Sequence, residues 1–186
     1  MWILGKNKSK VKVNMDEFAE LKQGHMLDTR IIIAKMYSAL PKELKEEVNM
    51  SDLQDAAMLH DYGKILIPAK ILKKEGELTP EEKHIMELHS EIGYELLKDQ
   101  GVRPEVLRLI KYHHSTPQGG YPVADNGFEY DVSIQMLRAA DEYSALTEKR
   151  TYKEAMTKEE ALETIKKDVE KGLLSQEVFD ALKKSV

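Results

Sequence analysis

From Met15 almost to Val186 the apolar residues recur at the three-to-four-residue spacing of helices, and Ser115 to about Tyr130 is the one long interruption. Ile32, Ile33, Met36, Tyr37 and Leu40 fall on one face of a helix over 28–40, and Pro41 ends it. Ser51-Asp52-Leu53-Gln54 reads as a capping box that opens the helix delivering His60 and Asp61. Gly63 then ends that helix or re-aims the chain. Thr79-Pro80-Glu81-Glu82 is a second start, with Thr as N-cap, Pro at the first helical position and Glu at the third. It predicts one helix through Ile85, Met86, His89, Ile92, Leu96 and Leu97, with His89 facing inward and His84 facing solvent. Further helices are expected at 104–114, 131–147, 158–171 and 175–185, the last two opened at Thr157 and Ser175. The expected fold is all-α, a single-domain bundle of about seven to eight helices. The interruption holds Pro117, Gly119, Gly120, Pro122 and Gly127, and a loop that long in a compact domain is usually functional.

Composition narrows the function. The 186 residues fit one domain able to bury a core, and no linker or repeat splits them. Residues 1–14 carry Lys6, Lys8, Lys10 and Lys12 and read as a basic tail, with 15–186 as the folded domain. A short strand at Val11–Val13 is conceivable there but nothing requires it. A net charge of −5 disfavours a nucleic-acid polymer as partner. The chain has no cysteine, which removes disulfides, thiolate catalysis and sulfur-ligated zinc. No apolar run approaches the roughly 20 residues of a membrane span, and Met1–Lys6 lacks the apolar core of a secretory signal. The expected location is the cytoplasm.

Chemistry concentrates in Met58-Leu59-His60-Asp61-Tyr62-Gly63-Lys64-Ile65. Asp61 has two oxygens and can bridge two metal ions, His60 adds a nitrogen ligand, and Lys64 can reach a phosphate oxygen. A His-Asp pair alone means little. Here it is followed in order by His89, His113-His114 and Asp141. Taken singly, each has a structural reading: a core histidine at His60, a helix-face charge at Asp141, a surface pair at His113 and His114. Six such groups in order argue against six separate structural roles. They exceed the needs of one ion, so two or more divalent ions are expected. Imidazole and carboxylate without sulfur suit Fe, Mn, Zn or Ni. Two ions about 3.5–4 Å apart would hold a hydroxide between them and stabilise phosphoryl transfer.

From about residue 50 to 180 the chain resembles the HD-GYP domains, a subclass of the HD phosphohydrolase superfamily. The resemblance is carried by Ala56 to Pro68, Ile71-Leu72, Gly76 to Thr79, His89-Ser90-Glu91-Ile92-Gly93, His113-His114, Gly119-Gly120-Tyr121-Pro122, Arg138-Ala139-Ala140-Asp141 and Ala145 to Tyr152. It implies an HD-type helical bundle, a di- or trinuclear site commonly of Fe or Mn, and hydrolysis of cyclic di-GMP to pGpG or GMP. The implied metal ligands are His60, Asp61, His89, His113, His114 and Asp141, with Asp61 and Lys64 as the catalytic pair. Gly120, Tyr121 and Pro122 would border the substrate; Tyr121 stacks on the guanine or anchors the loop. Arg150 and Tyr152 border the pocket or, on the preferred reading, play a structural part.

This chain departs from the family pattern at several places. The family carries a further His ligand on its first long helix, often with a Glu one turn before. Here His25 is the candidate, but its register against Ile32, Ile33 and Met36 leaves three readings open: His25 reaches in, Asp28 replaces it, or the ligand is missing. The loop lacks an acidic residue after the His pair and the Asp-Gly before the second Gly. Ser144 stands where an Asp is common and Gln135 where an Arg is common. A cyclic di-GMP phosphodiesterase is therefore the leading expectation. The alternatives are a phosphohydrolase acting on another cyclic dinucleotide or a nucleotide, and a catalytically weak domain that binds a nucleotide or partner in signalling. The expected partner is the cyclic dinucleotide, with a homodimer or a signalling protein as the regulator.

Overall fold

Polar side chains at helix starts satisfy backbone N–H groups that have no partner inside the helix. In a computed structural model, Thr79 accepts from the Glu82 N–H and Thr157 from the Glu160 N–H, and both glutamates reach back to complete capping boxes. Ser175 caps the last helix by accepting from the Val178 N–H. The structure describes Met15, Ala19 and residues 23–125, 128–148 and 155–186. The basic tail, Val11–Val13, Arg150 and Tyr152 lie outside the described residues.

The helices are α1 (His25–Ala39), α2 (Lys42–Glu46), α3 (Met50–Ala57), α4 (Ala69–Leu72), α5 (Pro80–Glu87), α6 (His89–Leu97), α7 (Pro104–Tyr112), α8 (Val132–Thr147), α9 (Lys158–Glu170) and α10 (Gln176–Ser185). Eight of these run two turns or more, in line with the expected bundle. A 3₁₀ turn covers Tyr62–Leu66, and Ser115–Thr116 (β1) pairs antiparallel with Gly119–Gly120 (β2). Among the described residues no helix is long and apolar enough to cross a membrane.

The centre of the bundle is α8, whose Ile134, Met136, Leu137 and Ala140 are almost fully buried. Helix α1 lies against α8, α10 and α3, burying Ile33 and Met36 on its inner face. Helix α7 contributes Leu109 and Ile110, and α9 contributes Ala161 and Ile165. Burial of each large aliphatic side chain stabilises by about 1.5–3 kcal/mol. Thr157→Ala is expected to cost about 1 kcal/mol by uncapping α9. It should lower the urea midpoint while leaving the denaturant slope unchanged.

Three expected boundaries are corrected. Helix α3 opens earlier than Ser51: Asn49 is the N-cap, its side chain accepting from the Ser51 and Asp52 N–H groups. The helix also ends at Ala57, so His60 and Asp61 sit on the turn that follows rather than on the helix. The single helix expected from Thr79 to Leu97 breaks at Leu88 into α5 and α6. The apolar period continues across the break, so periodicity alone could not locate it.

Candidate metal centre

Three imidazoles bond backbone carbonyls near helix ends in the same way. His60 Nδ1 lies 2.9 Å from Ala57 O, His89 Nδ1 2.8 Å from Met86 O, and His113 Nδ1 2.7 Å from Ile110 O. A carbonyl only accepts, so each Nδ1 carries the hydrogen and each Nε2 is left with a bare lone pair. The three Nε2 atoms point into one buried space. His89 Nε2 and His113 Nε2 stand 3.2 Å apart with no proton between them in these tautomers. His60 Nε2 is buried and has no hydrogen-bond partner. Bare lone pairs packed together without a donor are costly unless a cation completes them. The donor set therefore fits divalent ions ligated by nitrogen and oxygen.

The cluster has two halves. His25, His60 and Asp61 offer converging ligand atoms in one, and His89, His113 and His114 in the other. Asp61 stands between them. Its Oδ2 is 3.6 Å from His60 Nε2 and 3.8 Å from His25 Nε2, while its Oδ1 is 3.4 Å from His89 Nε2. Asp141 on α8 closes the first half, with Oδ1 2.8 Å from His25 Nε2 and 3.5 Å from His60 Nε2. Its Oδ2 faces His114 Nε2 at 3.8 Å. Lys64 Nζ donates to Asp61 Oδ2 at 2.6 Å and is partly exposed. His25 is the first-helix residue that enters the cluster. Asp28, one turn further along α1, is exposed.

Burial disfavours every charge here, and the neighbours decide which charges survive. Burial would raise Asp61, but Lys64, His60 and His89 outweigh it and hold the carboxyl well below its ordinary range. Asp141 is likewise held low against its burial, by His25 and His60. Burial would lower His60, but Asp61 and Asp141 turn the balance and raise it. Burial pushes His89 down to about 4 and His114 to about 3, and it carries His113 well below its ordinary value.

These directions predict an acid-labile protein. An unfolded histidine titrates near 6.5, so between about pH 6.5 and 4 the unfolded chain binds more protons at His89, His113 and His114 than the folded one. Stability from these groups therefore falls as pH falls through that window. His60 opposes them, its contribution being present below the unfolded value and lost as pH rises through the folded one. For His89 alone the loss by pH 4 is on the order of 3 kcal/mol. Metal-stripped protein should melt at steadily lower temperature from pH 7 to 4; a melting temperature flat across that range would contradict the assignment.

The start of the loop from Ser115 is tied down by side-chain hydrogen bonds. Ser115 Oγ donates to Pro122 O at 2.7 Å, and Gln118 Nε2 donates to Lys171 O at 2.8 Å. Gly120 has φ 95° and passes so close to His114 that a Cβ would lie 2.1 Å from the His114 carbonyl oxygen. That approach carries Tyr121 over His114, ring centres 4.5 Å apart, with a cis bond on to Pro122. Gln135, at the family's arginine position, accepts from the Ser175 N–H at 2.8 Å and joins α8 to the start of α10. His84 is exposed, as expected. The sequence reading missed one contact: Ser144 Oγ lies 2.9 Å from His25 Nδ1. Asp141 and Ser144 are three apart on a helix and so share a face. That spacing was the available signal, but it could not show which residue of α1 lies opposite.

Known proteins share this framework. The HD domain family profile matches residues 13–176. The cyclic di-GMP phosphodiesterase response regulator RpfG of Xanthomonas campestris is 37% identical over 63% of this chain and 32% of its own length. A cyclic di-GMP phosphodiesterase of Thermotoga maritima is 37% identical over 74% of this chain and 38% of its own. The 3'3'-cGAMP-specific phosphodiesterase 1 of Vibrio cholerae is 30% identical over 81% of this chain and 35% of its own. The chain thus spans about a third of the length of these curated relatives. The HD domain of the Listeria monocytogenes phosphodiesterase PgpH superposes with a TM-score of 0.61 at 16% identity, covering 90% of this chain and 93% of that one, a likeness of fold. The fold, the ordered His and Asp residues and the matched profile agree: the chain belongs to the HD domain family.

Proposed function

We propose that this chain is a metal-dependent phosphodiesterase domain that hydrolyses cyclic di-GMP to linear pGpG or onward to GMP. The observation that carries the proposal is the set of bare Nε2 atoms on His60, His89 and His113, divided by Asp61 into two halves. Residues 15–186 form the phosphohydrolase domain, preceded by the basic segment 1–14. His25, His60, Asp61 and Asp141 would hold one divalent ion, and Asp61, His89, His113 and His114 a second. Fe or Mn comes first, with Zn or Ni next. When bound, such ions supply a nucleophilic hydroxide at neutral pH and neutralise charge on phosphoryl oxygens.

The chain's own residues do the rest. Asp61 turns one carboxylate oxygen to each half and fixes their separation. Lys64, partly exposed beside Asp61, is the ammonium that meets a substrate phosphate. Tyr121, half-buried over His114, offers a face on which a purine stacks. Gly120 and Pro122 hold that ring in place, and Arg150 is assigned to the pocket border on the resemblance alone. A cytoplasmic location and regulation through a second copy or a signalling protein complete the reading.

A second substrate is favoured by two observations. The loop lacks the acidic residues of the family pattern, and several curated relatives are named as 3'3'-cGAMP-specific. Protein reconstituted anaerobically with Fe or Mn should be offered cyclic di-GMP, 3'3'-cGAMP and cyclic di-AMP side by side. Conversion of cyclic di-GMP to pGpG or GMP supports the proposal, and preferred turnover of 3'3'-cGAMP moves the substrate. No turnover of any of the three at two ions per chain overturns the enzyme reading.

A further inference from the structure

Among the histidines of the cluster, His25 is held differently. His60, His89 and His113 each give Nδ1–H to a carbonyl, which can only accept. His25 Nδ1 faces the Ser144 hydroxyl at 2.9 Å, and a hydroxyl can donate or accept. Both residues are buried, at 1% and 3% exposure, so water does not compete for that hydrogen bond. The hydroxyl has two places for its own hydrogen. Turned to the His25 carbonyl oxygen, 3.4 Å away, it leaves its lone pair to accept Nδ1–H, and Nε2 is bare. Turned to Nδ1, it leaves the hydrogen on Nε2, which donates to Asp141 Oδ1 at 2.8 Å. The first arrangement presents a ligand to the His25 half. The second closes that half with a hydrogen bond to Asp141.

We propose that Ser144 is a positioning residue that sets ion affinity in the His25 half alone, by leaving His25 free to exchange between ligand and hydrogen-bond donor. This rests on the two-ion reading above. The two halves are then unequal. The half built on the carbonyl-locked His89 and His113 binds first and more tightly. The half containing His25 binds second, because its imidazole must first give up its bond to Asp141. Residues that orient metal-ligating histidines typically govern 10–100-fold in affinity.

The test is Mn²⁺ binding by calorimetry to the metal-stripped chain, with Ser144→Ala, Ser144→Asp, His25→Asn and His89→Asn alongside. Two unequal steps are expected. Ser144→Ala should weaken the second step about tenfold or more and leave the first unchanged. Ser144→Asp, an acceptor only, should tighten the second step by a similar factor. His25→Asn should remove that same step and His89→Asn the other. Nitrogen-15 NMR of the histidines should show His25 moving to the Nδ1–H tautomer in Ser144→Asp, with His60, His89 and His113 unmoved. Two equal steps in the unmodified chain, or a Ser144→Ala variant with both steps intact, would overturn the role of Ser144 and leave the two-ion site standing. No Mn²⁺ binding to the unmodified chain would overturn both.

Discussion

Asp61→Ala should lower hydrolysis by three orders of magnitude or more, a loss of about 4 kcal/mol of transition-state stabilisation. It should also weaken ion binding in both halves at once. The reason is position. Asp61 has one oxygen 3.8 Å or less from both His25 and His60, the other 3.4 Å from His89, and an ammonium at 2.6 Å. Asp141 also reaches both halves, through Oδ1 to His25 and His60 and Oδ2 to His114, but Asp61 is the one that Lys64 contacts. Helix content should stay near that of the unmodified protein, because Asp61 sits on the turn after α3 and caps no helix with its side chain. Far-ultraviolet circular dichroism and metal content, read beside turnover, separate loss of the site from loss of the fold. An Asp61→Ala protein that still binds two ions and turns over at the normal rate would remove Asp61 from the centre of the account.

Gly63→Ala should be strongly destabilising. A Cβ at Gly63 would lie 1.9 Å from the His89 carbonyl oxygen and 2.6 Å from the Gly93 nitrogen. Both are backbone atoms of α6 and neither can rotate away. The 3₁₀ turn carrying Lys64 would have to separate from the helix carrying His89. Overpacking a core costs roughly 1–3 kcal/mol where side chains can yield; against backbone the cost should reach or exceed about 3 kcal/mol. The urea midpoint should fall sharply, and the ion-binding halves should move apart, so affinity falls as well. An unchanged midpoint would show that the turn and α6 do not pack as described.

Three helix starts were legible because capping is local. The chemistry at Thr79, Thr157 and Ser175 needs only three or four consecutive residues, and all three cap as expected. The inward face of α1 was legible for a similar reason, since Ile33 and Met36 mark it by period alone. The break at Leu88 was not legible, because its apolar period is uninterrupted. His25 was ambiguous because its role depends on the register of α1 against α8, set by packing more than a hundred residues away. The ordered His and Asp residues named the chemistry. Only the fold showed that one carboxylate stands between two groups of imidazoles.

The most direct test is the anomalous scattering of crystals of the Mn-reconstituted chain. Two peaks should flank the Asp61 carboxylate, one beside His25, His60 and Asp141 and the other beside His89, His113 and His114. A single peak, or peaks that leave Asp61 without a metal neighbour, would contradict the two-ion centre.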